Sequence, residues 1–340
     1  MQRRTCFTRL GLAILSLITL TALVACEAGT AVTTAPAAPT SGPILSTVNP
    51  TSVSKTPMPR TSVGQTGTPI ATQLADSGWP ALSYIDVIVM ENKEYGNIVG
   101  NADAPYINSL IAQYGLATNY TAITHPSEPN YIALFSGSTQ GVTTDGVYDL
   151  NSKNLADQIE ANGKTWRVFA QNVPTNCFTG ESASNGADGS GIYARKHNPA
   201  ISFTDISRSP ARCANIADFS HFDPAAANYE LIIPNQCHAT HDCSVTVGDD
   251  FLKGFVPKIL NSRAWQDGGV LFIVWDEGPF NVLNGGGHVP LIVISDSVPK
   301  GFRSSVAHNH YSLLRTIEDA WGLGCLNQAC AANNLDEFFH

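Results

Sequence analysis

The chain is 340 residues long and carries 19 basic against 28 acidic side chains, a formal net charge of −9, with 43% hydrophobic residues. An acidic chain without a basic run excludes nucleic acid as its natural partner, so an anionic substrate would have to find local cations or a metal.

Arg3, Arg4 and Arg9 flank and precede an apolar run from Leu10 to Ala25 that ends in Leu23-Val24-Ala25-Cys26. The run is shorter than the roughly 20 residues a spanning helix needs, and its basic start and small-residue end predict a bacterial export signal. The signal covers residues 1–25 and its end resembles a lipoprotein cleavage site, with Cys26 the lipidated residue; an ordinary signal peptide or an uncleaved anchor is the alternative. This predicts a protein held through a lipid anchor at the extracytoplasmic face of the bacterial cell membrane. Residues 26–79 are Thr, Ser, Pro, Ala and Gly with almost no aromatics, too little apolar surface to offset ordering entropy, and predict a flexible tether. From residue 80 to 340 strong apolar runs with Trp, Tyr and Phe appear, and about 260 residues are ample for one large core.

Tyr84 to Met90 is a short, nearly continuous apolar run rich in β-branched residues, which predicts a strand buried on both faces and ending at Glu91-Asn92. Ile107, Leu110, Ile111 and Tyr114 recur at helical spacing, with Gly115 as the stop. The alternation continues as a helix over 155–161, strands over 166–170 and 231–233, a helix over 251–265, strands over 270–275 and 289–294, and a helix over 310–321. Strands alternating with helices predict an α/β fold, a mainly parallel central sheet flanked by helices on both faces, which binds ligands beyond the carboxyl ends of its strands.

Of eight cysteines, Cys6 leaves with the signal and Cys26 takes lipid. The even remainder suits disulfides in an oxidising compartment. Six cysteines admit fifteen connectivities; joining neighbours pairs Cys177 with Cys213, Cys237 with Cys243 and Cys325 with Cys330.

Polar groups gather after the apolar strands. Glu91 and Asn92 follow the first strand as oxygen donors suited to a divalent cation, or as an ordinary solvated strand end. His125-Pro126-Ser127-Glu128-Pro129-Asn130-Tyr131 holds a serine in a proline-stiffened loop, where Ser127 is either a nucleophile awaiting a base or metal, or the cap of the next helix. His238, His241 and Asp242 crowd into five residues between Cys237 and Cys243, as metal ligands or a general acid require. Asp276 and Glu277 end the most apolar strand, where adjacent carboxylates repel unless a cation neutralises them. His288 precedes a strand and His310 opens the last helix; a histidine so placed is by itself more often a satisfied structural residue than a functional one.

In order, the motifs M-E-N-K-E-Y, H-P-S-E-P-N-Y, Y-A-R-K-H-N-P, I-I-P-N-Q-C-H-A-T-H-D, W-D-E-G and G-G-G-H-V-P resemble the phosphoesterase family of phospholipases C and secreted acid phosphatases, a branch of the alkaline phosphatase superfamily. The resemblance runs over about residues 84–323. It implies metal ligands at Glu91, Asn92, Asp276 and Glu277, with Asp242 serving a second metal or the leaving group, and a nucleophile at Ser127. It implies that Lys196 and His197 contact phosphate together with Asn92, that His238 and His241 act in catalysis, and that His288 and His310 close the site. The cofactor implied is a divalent metal, zinc, calcium or magnesium. The activity implied is hydrolysis of phosphate monoesters through a phosphoserine, with phosphoinositide-type lipids admitted as substrates. Ala239 stands where many relatives have an aspartate, which weakens a second metal site there. A phospholipase C-type phosphodiesterase is the alternative within the family, and a surface binding lipoprotein without turnover is the alternative outside it.

Overall fold

The apolar run Tyr-Ile-Asp-Val-Ile-Val-Met forms strand β1 (Tyr84–Met90), buried along nearly its whole length because it lies between two others. The computed structural model describes residues 79–184, 191–279 and 285–340, which lie in one compact unit; the expected signal, tether and Cys26 fall outside the described residues. After β1 come β2 (Gly115–Ala117), β3 (Tyr120–Thr121), β4 (Trp166–Ala170), β5 (Ser182–Ser184) and β6 (Ile192–Ala194). The remaining strands are β7 (Ile216–Ala217), β8 (Tyr229–Ile233), β9 (Gly269–Trp275), β10 (Leu291–Ile294), β11 (Arg303–Ser304) and β12 (His308–Asn309).

Eight of these form one sheet in the order β11-β2-β10-β9-β1-β8-β4-β7. Every neighbouring pair is parallel except those made by β10, which runs antiparallel to β9 and to β2. The sheet is therefore mixed, mostly parallel, and flanked by helices, as the alternating pattern predicts. The helix Ser127–Ser136 packs with His310–Trp321, and Pro105–Gln113 packs with Val245–Leu260. No helix among the described residues is long and apolar enough to cross a membrane.

Three differences from the sequence pattern bear on the site. The strand expected over 289–294 starts at Leu291 and is reversed, a direction that apolar content does not encode. Its reversal brings His288, at its start, to the edge where the parallel strands end. The helix expected over 251–265 spans Val245–Leu260, extended through Gly248 at its front and stopped at Asn261, after which Ser262 caps a separate turn over Arg263–Gln266. Ser127, expected in a loop, is the first residue of a helix whose ten residues are all buried.

Two glycines make close approaches possible. Gly137 ends the Ser127–Ser136 helix at φ 70°, and a Cβ there would strike the Leu326 carbonyl. Gly248 lets the Val245–Leu260 helix lie against Thr240, whose methyl a side chain at 248 would meet. The three disulfides join Cys177 to Cys213, Cys237 to Cys243 and Cys325 to Cys330, the neighbour pairing. The second closes a loop of chemistry-bearing residues after β8.

The sheet also buries an acid pair away from these loops. Asp86 on β1 lies opposite Glu230 on β8, and Asp86 Oδ1 and Glu230 Oε2 have no hydrogen-bond partner. Burial, then the Asp86 charge, pushes Glu230 up to about 9. A carboxyl whose pKa is raised by folding keeps its full contribution below its unfolded value, about 4.5, and loses it as pH rises toward the folded value. Glu230→Gln should therefore match the wild type in urea unfolding at pH 4 and exceed it at pH 8.5 by on the order of 2 kcal/mol. Equal stability at pH 8.5 would contradict this account.

Candidate active site

The carboxyl edge of the sheet assembles the site from loops distant in sequence. The Glu91 amide donates to Ala239 O (2.8 Å), Thr240 Oγ1 donates to Glu91 O (2.7 Å), and the Asp276 amide donates to Met90 O (2.9 Å). The end of β1 is thereby laced to the end of β9 and to the loop after β8 by main-chain bonds and the Thr240 hydroxyl. Asn92 completes the join from φ 53°, a left-handed backbone that Asn tolerates better than most side chains, and its amide donates to Asp276 Oδ1 (3.2 Å).

Ser127 lies between two carboxylates. Its Oγ is 3.0 Å from Glu277 Oε1 and 3.3 Å from Glu91 Oε2, with only 1% of the residue exposed. A helix start also presents backbone N–H groups that favour an anion. His125 Nδ1 lies 2.5 Å from Glu277 Oε2, so its imidazole aligns the acid that faces the serine, and its Nε2 is buried without a hydrogen-bond partner among the described residues. Tyr131, one turn beyond Ser127, donates to Glu91 Oε1 at 2.5 Å.

Burial dominates the electrostatics. It pushes Glu91 up to about 8, with the Glu277 charge adding and the Tyr131 hydrogen bond and Lys196 charge opposing. Asp276 is raised well above the carboxylate range by burial and then by Glu91 and Glu277. Burial raises Glu277 too, while His125 and Ser127 counter it. Three buried acids this close resist joint ionisation unless protons or a cation neutralise them.

The donor set fits a divalent ion. Glu91, His197 and His241 each offer one ligand atom, and these lie within 4.8 Å of one another. His197 Nε2 stands 3.1 Å from Glu91 Oε1 without hydrogen-bond geometry, and burial, followed by the Lys196 and His241 charges, drives this imidazole well below its usual range, toward the neutral form a metal needs. His241 Nδ1 lies 2.7 Å from Asp242 Oδ1; a carboxylate accepts, so Nδ1 donates and Nε2 keeps its lone pair. On the other side of Glu91, Asp276 is fully buried and within side-chain hydrogen-bonding reach of it. Glu91 is thus common to an acidic set with Asp276 and Glu277 and an imidazole set with His197 and His241.

Lys196 lies close enough that its charge bears on Glu91; burial opposes its own charge, but Asp145, Glu91 and Asp276 together hold it above the usual lysine range. The other residues marked by the sequence stand outside this cluster. His310 is fully buried: its Nε2 donates to Asp276 O (2.6 Å), its Nδ1 takes the Tyr120 hydroxyl (3.0 Å), and burial pushes it down to about 4. Its neutral ring braces the acid's backbone. His288 Nε2 donates to Thr118 O (3.0 Å) and its ring stacks on Tyr95 (4.4 Å), which seats it in the wall. His238 Nδ1 lies 2.9 Å from Gln171 Oε1 and its ring stacks on Phe251. Asp242 orients His241 from a half-exposed position, and Asn92 contributes its backbone amide.

A match to the Phosphoesterase family covers residues 97–324. The chain belongs to this family. It is 33% identical to a phosphatidylinositol-3-phosphatase of Mycobacterium tuberculosis, over 74% of this chain and 80% of that protein. It is 29% identical to a probable acid phosphatase of Kluyveromyces lactis (75% of this chain, 62% of that protein) and 28% identical to an acid phosphatase of Aspergillus fumigatus (73% and 57%), so it spans about 60% of the length of these two fungal relatives. Among solved structures, a Vibrio parahaemolyticus protein of the alkaline phosphatase superfamily superposes with a TM-score of 0.52 at 11% identity, over 76% of this chain and 71% of that one. At that identity the likeness concerns the fold, and the fold agrees with the superfamily's.

Proposed function

We propose that this chain is a phosphoric ester hydrolase that cleaves phosphate monoesters through Ser127, with phosphoinositide-type lipids among its substrates. The observation that carries the reading is the placement of Ser127 Oγ, buried at a helix start and directed at Glu277 and Glu91. The names of the fungal and mycobacterial relatives support the same chemistry.

Glu91, Asp276, Glu277, His197 and His241 are the residues that would hold a divalent metal. When bound, such an ion supplies charge neutralisation at the phosphoryl oxygens and a lowered pKa for a coordinated hydroxyl. The side chains perform the rest. Glu277, aligned by His125, accepts the Ser127 proton as Oγ forms its bond to phosphorus and the bond from phosphorus to the leaving oxygen breaks. Lys196 and the first turn of the Ser127–Ser136 helix meet negative charge on the transferring group. The departing alkoxide takes its proton from solvent water, since the Nδ1–H of His241 is held by Asp242 and its ring is among the candidate metal donors. Water then hydrolyses the phosphoserine and frees Ser127.

The domain doing this work is residues 80–340, and we place it outside the cytoplasm, tethered by residues 26–79 from a lipidated Cys26 after removal of 1–25; the charge pattern and small-residue ending of the N-terminus support this. The deciding experiment compares p-nitrophenyl phosphate with its bis-ester, before and after chelation and with zinc, calcium or magnesium restored. Metal-restored release from the monoester is expected. Preference for the bis-ester would favour a phosphodiesterase, and no turnover of either would favour a binding protein.

A further inference from the structure

Lys196 does not stand alone: its Nζ forms an ion pair with Asp145 Oδ2 at 2.8 Å. The same carboxylate accepts, through Oδ1, the amide of Glu128 in the first turn of the Ser127–Ser136 helix (3.1 Å). Asp145 therefore occupies, as an anion, the two features of this site that suit a phosphoryl group: a cation and a helix-start N–H beside the serine.

The loop that carries Asp145 is held in place by buried groups. Gly146 N donates to Glu128 Oε2 (2.7 Å), Arg195 Nη2 donates to Tyr148 O (3.1 Å), and Arg195 Nη1 lies 3.9 Å from Glu128 Oε1. Glu128 follows Ser127 and Arg195 precedes Lys196, and both are almost fully buried. This network fixes nucleophile, lysine and Asp145 relative to one another, so the Asp145–Lys196 contact is a built part of the site and not a chance surface pair. Nothing in stability requires it: exposed ion pairs contribute little, and the loop is already anchored through Gly146 and Tyr148.

We propose that Asp145 is a positioning residue that competes with phosphate for Lys196, holding the ammonium in place when the site is empty and weakening the grip on the phosphate product. A phosphate dianion that reaches Lys196 must displace or share the Asp145 carboxylate already paired with it. That competition lowers affinity for substrate and product alike, and product release gains from it. The inference rests on the reading of Lys196 as a phosphate-binding cation.

Asp145→Asn tests it cleanly, because Asn keeps an oxygen for the Glu128 amide and removes only the charge. In the metal-loaded full-length protein, the inhibition constant of inorganic phosphate is expected to fall on the order of tenfold, with KM for p-nitrophenyl phosphate falling and kcat not rising. Phosphate binding is also read by calorimetry, which needs no turnover. In a Lys196→Met background the same substitution should leave phosphate affinity unchanged, since the competition then has no object. Unchanged or weaker phosphate binding by Asp145→Asn would overturn the inference and leave Asp145 a scaffold; an equal gain in the Lys196→Met background would overturn it as a general field effect. A loss of thermal stability with no gain in phosphate affinity counts against it as well. If the wild type turns over neither ester, the proposed function fails separately, and the calorimetric comparison still decides on Asp145.

Discussion

Ser127→Ala is expected to reduce hydrolysis of p-nitrophenyl phosphate by at least about three orders of magnitude, because among the described residues the Ser127 hydroxyl alone bonds both Glu91 and Glu277. The fold should survive. The helix over 127–136 takes its N-cap from Pro126 and its closure from Gly137, so the serine hydroxyl is not what starts or ends it. Losing that hydroxyl leaves Glu277 with His125 and Glu91 with Tyr131 as hydrogen-bond partners, so the stability lost is about 1–2 kcal/mol, a Tm shift of a few degrees. Trapping of a radiolabelled phosphoenzyme in the wild type, absent in the variant, is the accompanying readout. Retention of more than about a tenth of wild-type kcat in a correctly folded Ser127→Ala protein would remove Ser127 as the nucleophile and point to direct attack by water.

Legibility followed physical range. Strands β1, β4 and β9 and the helix His310–Trp321 are readable because burial on both faces, or on one helical stripe, writes itself into consecutive residues. Glu91, Asp276 and Glu277 are readable because they stand at ends of such runs, and Ser127 because it lies in a proline-bounded motif; the structure sets Ser127 against Glu91 and Glu277, and Glu91 against Asp276. Direction and partnership are not local properties. The reversal of β10 depends on where the chain returns, and the placement of His197 and His241 around Glu91 depends on three loops meeting at one edge. His310 illustrates the same limit: its place at a helix start does not say what its nitrogens reach, which are a backbone carbonyl and a tyrosine. His125 lay inside a legible motif, but only its contact with Glu277 gives it a task. Asp145 carries no sequence signal at all, sitting in an exposed Asp-Gly turn whose significance comes from Lys196 and Glu128 on other segments.

Metal removal should produce the second large effect, and its pH dependence separates a cation at Glu91 from one bound elsewhere. In the metal-free protein Glu91 is raised to about 8 by burial, and burial raises Asp276 and Glu277 as well. Between about pH 4.5 and pH 8 the folded chain then holds more protons at these acids than the unfolded chain, so stability falls as pH rises through that window. A bound divalent cation replaces those protons as the neutralising charge, so the metal-loaded protein should show little of the fall. Chelation is expected to lower turnover at least about a hundredfold and to lower Tm slightly at pH 5 and by several degrees more at pH 8. Glu91→Gln should weaken metal binding and flatten the pH slope of the chelated protein, since it removes the acid common to both donor sets. A Tm difference independent of pH would place the metal away from these carboxyls, and full activity after exhaustive chelation would leave the buried acids to do their work as proton carriers, with Glu277 as the base and Glu91 retained for the geometry of Tyr131 and Ser127.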